Sequence, residues 1–174
     1  DVVAGEHALA IALCVPNCRV VVSEQVVERL ERAEFRALIE HERAHLARGD
    51  AYASLVLGIA TMFLLPRARE ELRAAWRLAV EQSCDSIAAY RTDALTLASA
   101  LLKFTRLRCA PLSQAAMLSA FDQADLSARI RYLLDPQAHV IAPSARLRWW
   151  MCLSLPLAFA LHELGEFLLL PLVA

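Results

Sequence analysis

The sequence lacks the marks of several common functions. It has no G-x-S-x-G turn and no S-x-x-K pair, so it offers no recognisable serine nucleophile for hydrolysis. Charge of neither sign dominates: 18 Lys+Arg against 19 Asp+Glu leave a net charge of −1, and bulk charge gives no reason to expect direct nucleic-acid binding. The five cysteines are an odd number without the spacing of a disulfide framework, which points to a reducing compartment. The Cys14-to-Cys18 pair has no second pair of ligands to accompany it, and the Pro16-Asn17 inside it marks a turn. There is no internal repeat or low-complexity tract. No basic stretch precedes an apolar start as in a signal peptide, and the opening Asp1-Val2-Val3, without Met, is expected of a piece of something longer.

What the chain does have is apolar content. Hydrophobic residues make up 58% of its 174 positions, and the mean hydropathy is +0.42, above an ordinary soluble domain. The length fits one compact domain plus a membrane element.

The chemistry concentrates in His41-Glu42-Arg43-Ala44-His45, an H-E-x-x-H pentapeptide. On a helix, positions four apart share a face, so His41 and His45 can turn imidazole nitrogens toward one zinc ion. Glu42 beside them can take a proton from a water whose pKa zinc lowers from about 15.7 to about 7. The plain alternative is a surface helix with ordinary His, Glu and Arg. Against it, Ser23 to Arg48 reads as one helix, with Ser23 as N-cap, Glu24 in the first turn and Gly49 as the C-terminal stop. Val26, Val27, Leu30, Leu38 and Ile39 give it an apolar face, imperfectly patterned around Phe35 and the charges.

A catalytic zinc usually takes three protein ligands and keeps one position open. The next strong helical segment, about 67–91, carries Glu81 and Asp85 four apart on one face. Glu81 can serve as the third ligand, and Asp85 can accept a hydrogen bond from the free N–H of a ligand histidine and so fix its tautomer. A solvated charged face is the commoner fate of such a pair. Here Trp76, Val80, Ile87 and Ala88 surround it, so the turn is not simply solvent-facing. Cys84, three residues from Glu81, reads as a buried inert thiol.

The spaced set, H-E-x-x-H and then E-x-x-C-D about 36 residues later, resembles the membrane zinc metallopeptidases of bacterial beta-lactam sensor and antirepressor proteins, the BlaR/MecR type. The resemblance covers roughly residues 8–136. It takes in Arg48-Gly49-Asp50, the apolar stretch ending at Pro66, and Ser127 to Leu134, which is similar to that family's R-I-x-x-L-L. It implies Zn2+ held by His41, His45 and Glu81, with Glu42 as catalytic base. It also implies a zinc domain at the cytoplasmic face of the inner membrane, acting on a protein or peptide substrate such as a transcriptional repressor or itself. HtpX-like membrane proteases share the E-x-x-x-D element, while the Cys84-Asp85 dipeptide favours the first family. No beta-lactam-binding serine domain accompanies the motif, so any sensor domain would lie outside this chain.

The expected fold is mainly α: a gluzincin-like helical zinc-protease domain over 1–146 with a short N-terminal β-hairpin, 8–15 with 18–22, and membrane-associated or transmembrane helical segments. If the hairpin lies beside the zinc helix, an extended peptide can add to its edge. The first membrane candidate is 51–65, nearly all apolar. Fifteen helical residues span about 22 Å, short of a hydrocarbon core of about 30 Å. Arginines flank both ends, so the segment is expected to dip into lipid or pack in the core rather than cross. The second candidate is 147–174, where Trp149 and Trp150 follow Arg146 and Arg148 as interfacial anchors that place the zinc domain in the cytoplasm. His162, Glu163 and Glu166 interrupt it, and such residues inside a membrane are costly, so a contact with other helices or the far interface is expected. The reading is therefore a membrane-associated zinc endopeptidase. The alternatives are an HtpX-like quality-control protease and a non-proteolytic signalling or interaction module with a structural zinc or none.

Overall fold

The computed structural model describes residues 1–4, 8–13, 17–108 and 115–135. Of these, 1–52 with 78–135 belong to one compact unit and 53–77 to a second. The chain is mainly helical behind a small sheet.

In the first unit the valine-rich strand β3 (Arg19–Ser23) lies between β1 (Val2–Val3), which pairs with it in parallel, and β2 (Ala10–Leu13), which pairs antiparallel in the register Ala10↔Val22 to Leu13↔Arg19. The expected hairpin is present, and β1 is an addition that two residues of sequence could not announce. Because Leu9 C=O accepts the Ser23 N–H (2.8 Å), the alternation of an antiparallel ladder turns the backbone groups of Ala10 and Ala12 away from β3. Val21 and Val22 are buried.

The single helix expected over 23–48 is two. Helix α1 (Glu24–Arg29) ends at Leu30, whose extended backbone (φ −93°, ψ 139°) drives its buried side chain into the core. Glu31 then starts α2 (Arg32–Arg48) through a reciprocal capping box with Glu34, whose carboxylate accepts the Glu31 N–H at 3.0 Å. Ser23 does precede α1, but its hydroxyl does not cap the helix; it accepts the Leu9 N–H at 3.0 Å and so serves the sheet. Gly49 closes α2 in the left-handed region (φ 67°), a conformation a Cβ would disfavour.

Helix α2 is central. Its buried residues Glu34, Ala37, Leu38, His41, Glu42 and Ala44 form one stripe at three- and four-residue steps. Leu38 packs with Val22, Val26 and Leu30, while Ala37 packs with Ala88, Leu97 and Leu101. Each large side chain buried in this way contributes about 1.5–3 kcal/mol. The H-E-x-x-H residues therefore continue the stripe that makes the core, which explains why they face inward. Glu34 is also buried. Burial alone would raise its pKa, but Lys103 Nζ (2.7 Å) and the Ser99 hydroxyl (2.6 Å) hold it below the usual range and tie α2 to α5 (Ala94–Arg108).

Helix α3 (Asp50–Ala60) begins in the first unit and continues into the second; α4 (Pro66–Arg91) begins in the second and continues into the first. The eleven residues of α3 span about 16 Å. Among the described residues no helix is long and apolar enough to cross a membrane. Within 53–77, Leu55, Val56, Ile59, Met62 and Phe63 are exposed, and Arg73 donates to Gly58 C=O (3.2 Å) and Thr61 Oγ1 (3.3 Å). The sequence from 113 to 134 reads as one or two short helices, and the structure has one, α6 (Ala115–Leu134). The 147–174 segment, its boundary with 1–146, and His162, Glu163 and Glu166 lie outside the described residues.

Candidate metal centre

Three side chains of the first unit converge. His41 and His45, one turn apart on α2, bring their Nε2 atoms to 3.2 Å with the rings nearly perpendicular. From α4, Glu81 places Oε2 3.4 Å from His41 Nε2 and Oε1 3.6 Å from His45 Nε2. Two ligand atoms on a tetrahedral zinc, each about 2.0–2.1 Å from the metal, stand about 3.3–3.4 Å apart. The observed separations bracket that value. His41 is buried, while Glu81 keeps one-third of its side chain exposed, so the cluster reaches solvent on the Glu81 side.

The other ring nitrogens explain why the cluster calls for a cation. His41 Nδ1 lies 2.9 Å from Asp85 Oδ1, with the N–H direction somewhat off the oxygen, and His45 Nδ1 lies 2.8 Å from Asp50 Oδ2. A carboxylate at Nδ1 keeps the proton there. In the neutral rings both Nε2 atoms then present lone pairs to each other and to the Glu81 carboxylate. Without a positive charge between them this arrangement is repulsive. Free of metal, the site answers by taking up a proton. Burial would lower the pKa of His41, but the Asp85 and Glu81 carboxylates beside it win and raise it to about 9. The donor set therefore fits zinc: two imidazoles with their tautomers fixed and one carboxylate.

Glu42 is buried on the same stripe, and burial pushes its carboxyl above the usual range. The Ala12 backbone, on the outward side of β2, is near enough to Glu42 to work weakly against that rise. Glu42 thus lies between the histidines and the free edge of the sheet.

The outer carboxylates are each held by an arginine. Asp85 is fully buried and receives a fork from Arg129 of α6, Nε to Oδ2 and Nη2 to Oδ1, both 2.7 Å. Burial favours its neutral form, yet Arg129 and His41 keep it below the ordinary carboxylate range. Asp50 receives Arg48 Nε at 3.2 Å, and Arg48 Nη1 reaches the Ser83 hydroxyl at 2.6 Å. Asp50 and Arg129 were not singled out as site residues from sequence. The signal for Asp50 was its position just past Gly49, whose left-handed turn brings the chain back toward His45; the signal for Arg129 was its place in the R-I-x-x-L-L-like segment.

A second group, His45 Nδ1, Asp50 and Cys84 Sγ, is also compact. Here the short 2.8 Å His45–Asp50 contact is a hydrogen bond, and Cys84 lies 3.3 Å from Asp50 Oδ2 as a thiol donor. Burial, with Asp50 beside it, pushes the thiol pKa far up, so no thiolate is on offer there. With Arg48 on the carboxylate as well, the group reads as the support of His45 rather than a second cation site.

The model of peptidase family M48 matches residues 2–119, a span that holds His41, Glu42, His45, Asp50, Glu81 and Asp85. No curated protein and no solved structure matches the chain.

Proposed function

The chain belongs to peptidase family M48, a family of zinc metallopeptidases, and on that footing we propose that His41, His45 and Glu81 hold one catalytic zinc with Glu42 as the general base. The observation that carries this assignment is the convergence of two Nδ1-anchored imidazoles and a carboxylate on one point at 3.2–3.6 Å. Bound there, zinc supplies a Lewis acid for the scissile carbonyl and an acidified water. Glu42 takes the proton of the attacking water and passes it to the leaving amine. Asp85 and Asp50 hold the two rings in the ligating tautomer. The outward backbone groups of β2 favour an extended peptide lying along that edge, next to Glu42.

The test is elemental analysis of the purified chain together with a peptide-cleavage assay. About one zinc per chain is expected, with cleavage abolished by a chelator and restored by zinc; a folded chain that takes up no zinc ends the proposal. Because zinc must displace the proton on His41, affinity is expected to rise roughly tenfold per pH unit through neutral pH and to level off above about 9.

We further propose that the enzyme works against the cytoplasmic face of the inner membrane in signal-responsive cleavage of a repressor or of itself. The Cys84-Asp85 dipeptide and the segment around Arg129 support the antirepressor likeness. The exposed apolar row Leu55, Val56, Ile59, Met62 and Phe63 supports contact with lipid. The row is too short to cross, so it would lie in the interface. Flotation with lipid vesicles is expected to be weakened by Phe63→Asp, and equal flotation of variant and wild type would remove this part of the proposal. A quality-control protease of the HtpX-like kind is the second reading, with which Glu81-x-x-x-Asp85 is equally compatible; it would cleave many unfolded proteins rather than one repressor.

A further inference from the structure

Arg129 is the one described cation that touches both a proposed zinc ligand and the carboxylate behind another. Its Nη1 lies 2.9 Å from Glu81 Oε2, the oxygen that faces His41 Nε2, while Nε and Nη2 fork onto Asp85. It is itself largely buried, and it comes from α6, 44 residues beyond Asp85 and ten past the end of the family match. Three of its contacts thus go to two carboxylates that share one helical face and repel each other. Two-point and planar, this contact is one that a guanidinium makes and an ammonium does not.

We propose that Arg129 is a positioning residue of the metal centre, holding Glu81 against rotation away from the imidazoles and Asp85 against His41, so that metal retention depends on α6 as well as on the two helices that carry the ligands. The inference rests on the zinc reading above. Removing the guanidinium frees Oε2 of Glu81 and leaves Asp85 with a buried, half-partnered carboxylate. Both changes loosen ligands without deleting one. Arg129 touches no reacting atom and is not a catalytic residue.

Zinc affinity measured by competition with a chromophoric chelator tests this, alongside thermal melts of the metal-free protein. Arg129→Met is expected to weaken zinc binding about 10–100-fold, the usual cost of losing a partner behind a ligand. Arg129→Lys, which keeps the charge but not the fork, is expected to fall between Met and wild type. Arg91→Met is the control, because Arg91 joins α4 to α2 through Glu40 (3.0 Å) away from the centre; it is expected to lower the melt without moving zinc affinity. If Arg129 only docks α6, its variants will behave like Arg91→Met, and the proposal is overturned. Should Arg129→Met not fold, Arg129→Lys decides, and wild-type affinity in that variant overturns it. A wild-type chain that binds no zinc overturns the functional reading and this inference together, whereas zinc-binding wild type with unchanged Arg129 variants overturns this inference alone.

Discussion

Glu42→Gln is expected to keep its zinc and its fold and to lose peptide cleavage by about 10³-fold or more, within the range general-base catalysis supplies. The substitution is nearly isosteric. A glutamine of the same size and shape fills the same space, so the local packing between α2 and β2 is kept. What is lost is the ability to bind and release a proton. Glu42 faces two imidazoles and Glu81, and burial already holds its carboxyl above the ordinary range, the direction a base working near neutral pH requires. Glu42 is not among the proposed ligands, so His41, His45 and Glu81 all remain to hold the zinc. The measurement is kcat/KM on a peptide substrate with zinc content determined on the same sample. A zinc-loaded Glu42→Gln protein that cleaves at the wild-type rate would show that another group moves the proton.

How much of this centre could be read beforehand follows from distance along the chain. His41 and His45 are one helical turn apart, and so are Glu81 and Asp85; helical periodicity alone puts each pair on a common face. That periodicity did not show where the helix began. Val26, Val27, Leu30 and Leu38 run in near-register through a break at Leu30 and Glu31, and Ser23 looks a better cap than Glu31. The break is set by tertiary demand: Leu30 is needed in the core against Val22 and Leu38, and Glu34 is needed by Lys103 and Ser99, 69 and 65 residues away. Asp50 required a left-handed Gly49 to come back beside His45. Arg129 is a contact of high sequence separation: the R-I-x-x-L-L-like segment marks its neighbourhood, but nothing local says that it reaches Asp85 and Glu81. The side chains proposed as ligands and base were thus legible as local spacing, and so was Asp85, one turn from Glu81; Asp50 and Arg129 were not, because they arrive through folding.

The same division of labour sets the expected result for Glu81. Glu81→Ala is expected to weaken zinc binding by about 10²–10³-fold, taking roughly 10–16 kcal/mol for a zinc site with four protein ligands, hence about 2.5–4 kcal/mol for each, and tenfold per 1.4 kcal/mol. Cleavage at sub-saturating zinc should vanish. The metal-free fold should hold, because Glu81 is one-third exposed and its ion pair with Arg129 is backed by the fork on Asp85. His41 would meanwhile lose one of the two carboxylates that raise its pKa, so it should titrate lower than in the parent protein, a shift that NMR of the imidazole can follow. The informative contrast is with Cys84→Ser. If Glu81→Ala keeps tight zinc and Cys84→Ser loses it, the metal sits on the His45–Asp50–Cys84 side, and the assignment of Glu81 is wrong. If Glu81→Ala loses zinc and Cys84→Ser keeps it, the third ligand lies on α4 one turn before Asp85, and Cys84 serves only to support Asp50 behind His45.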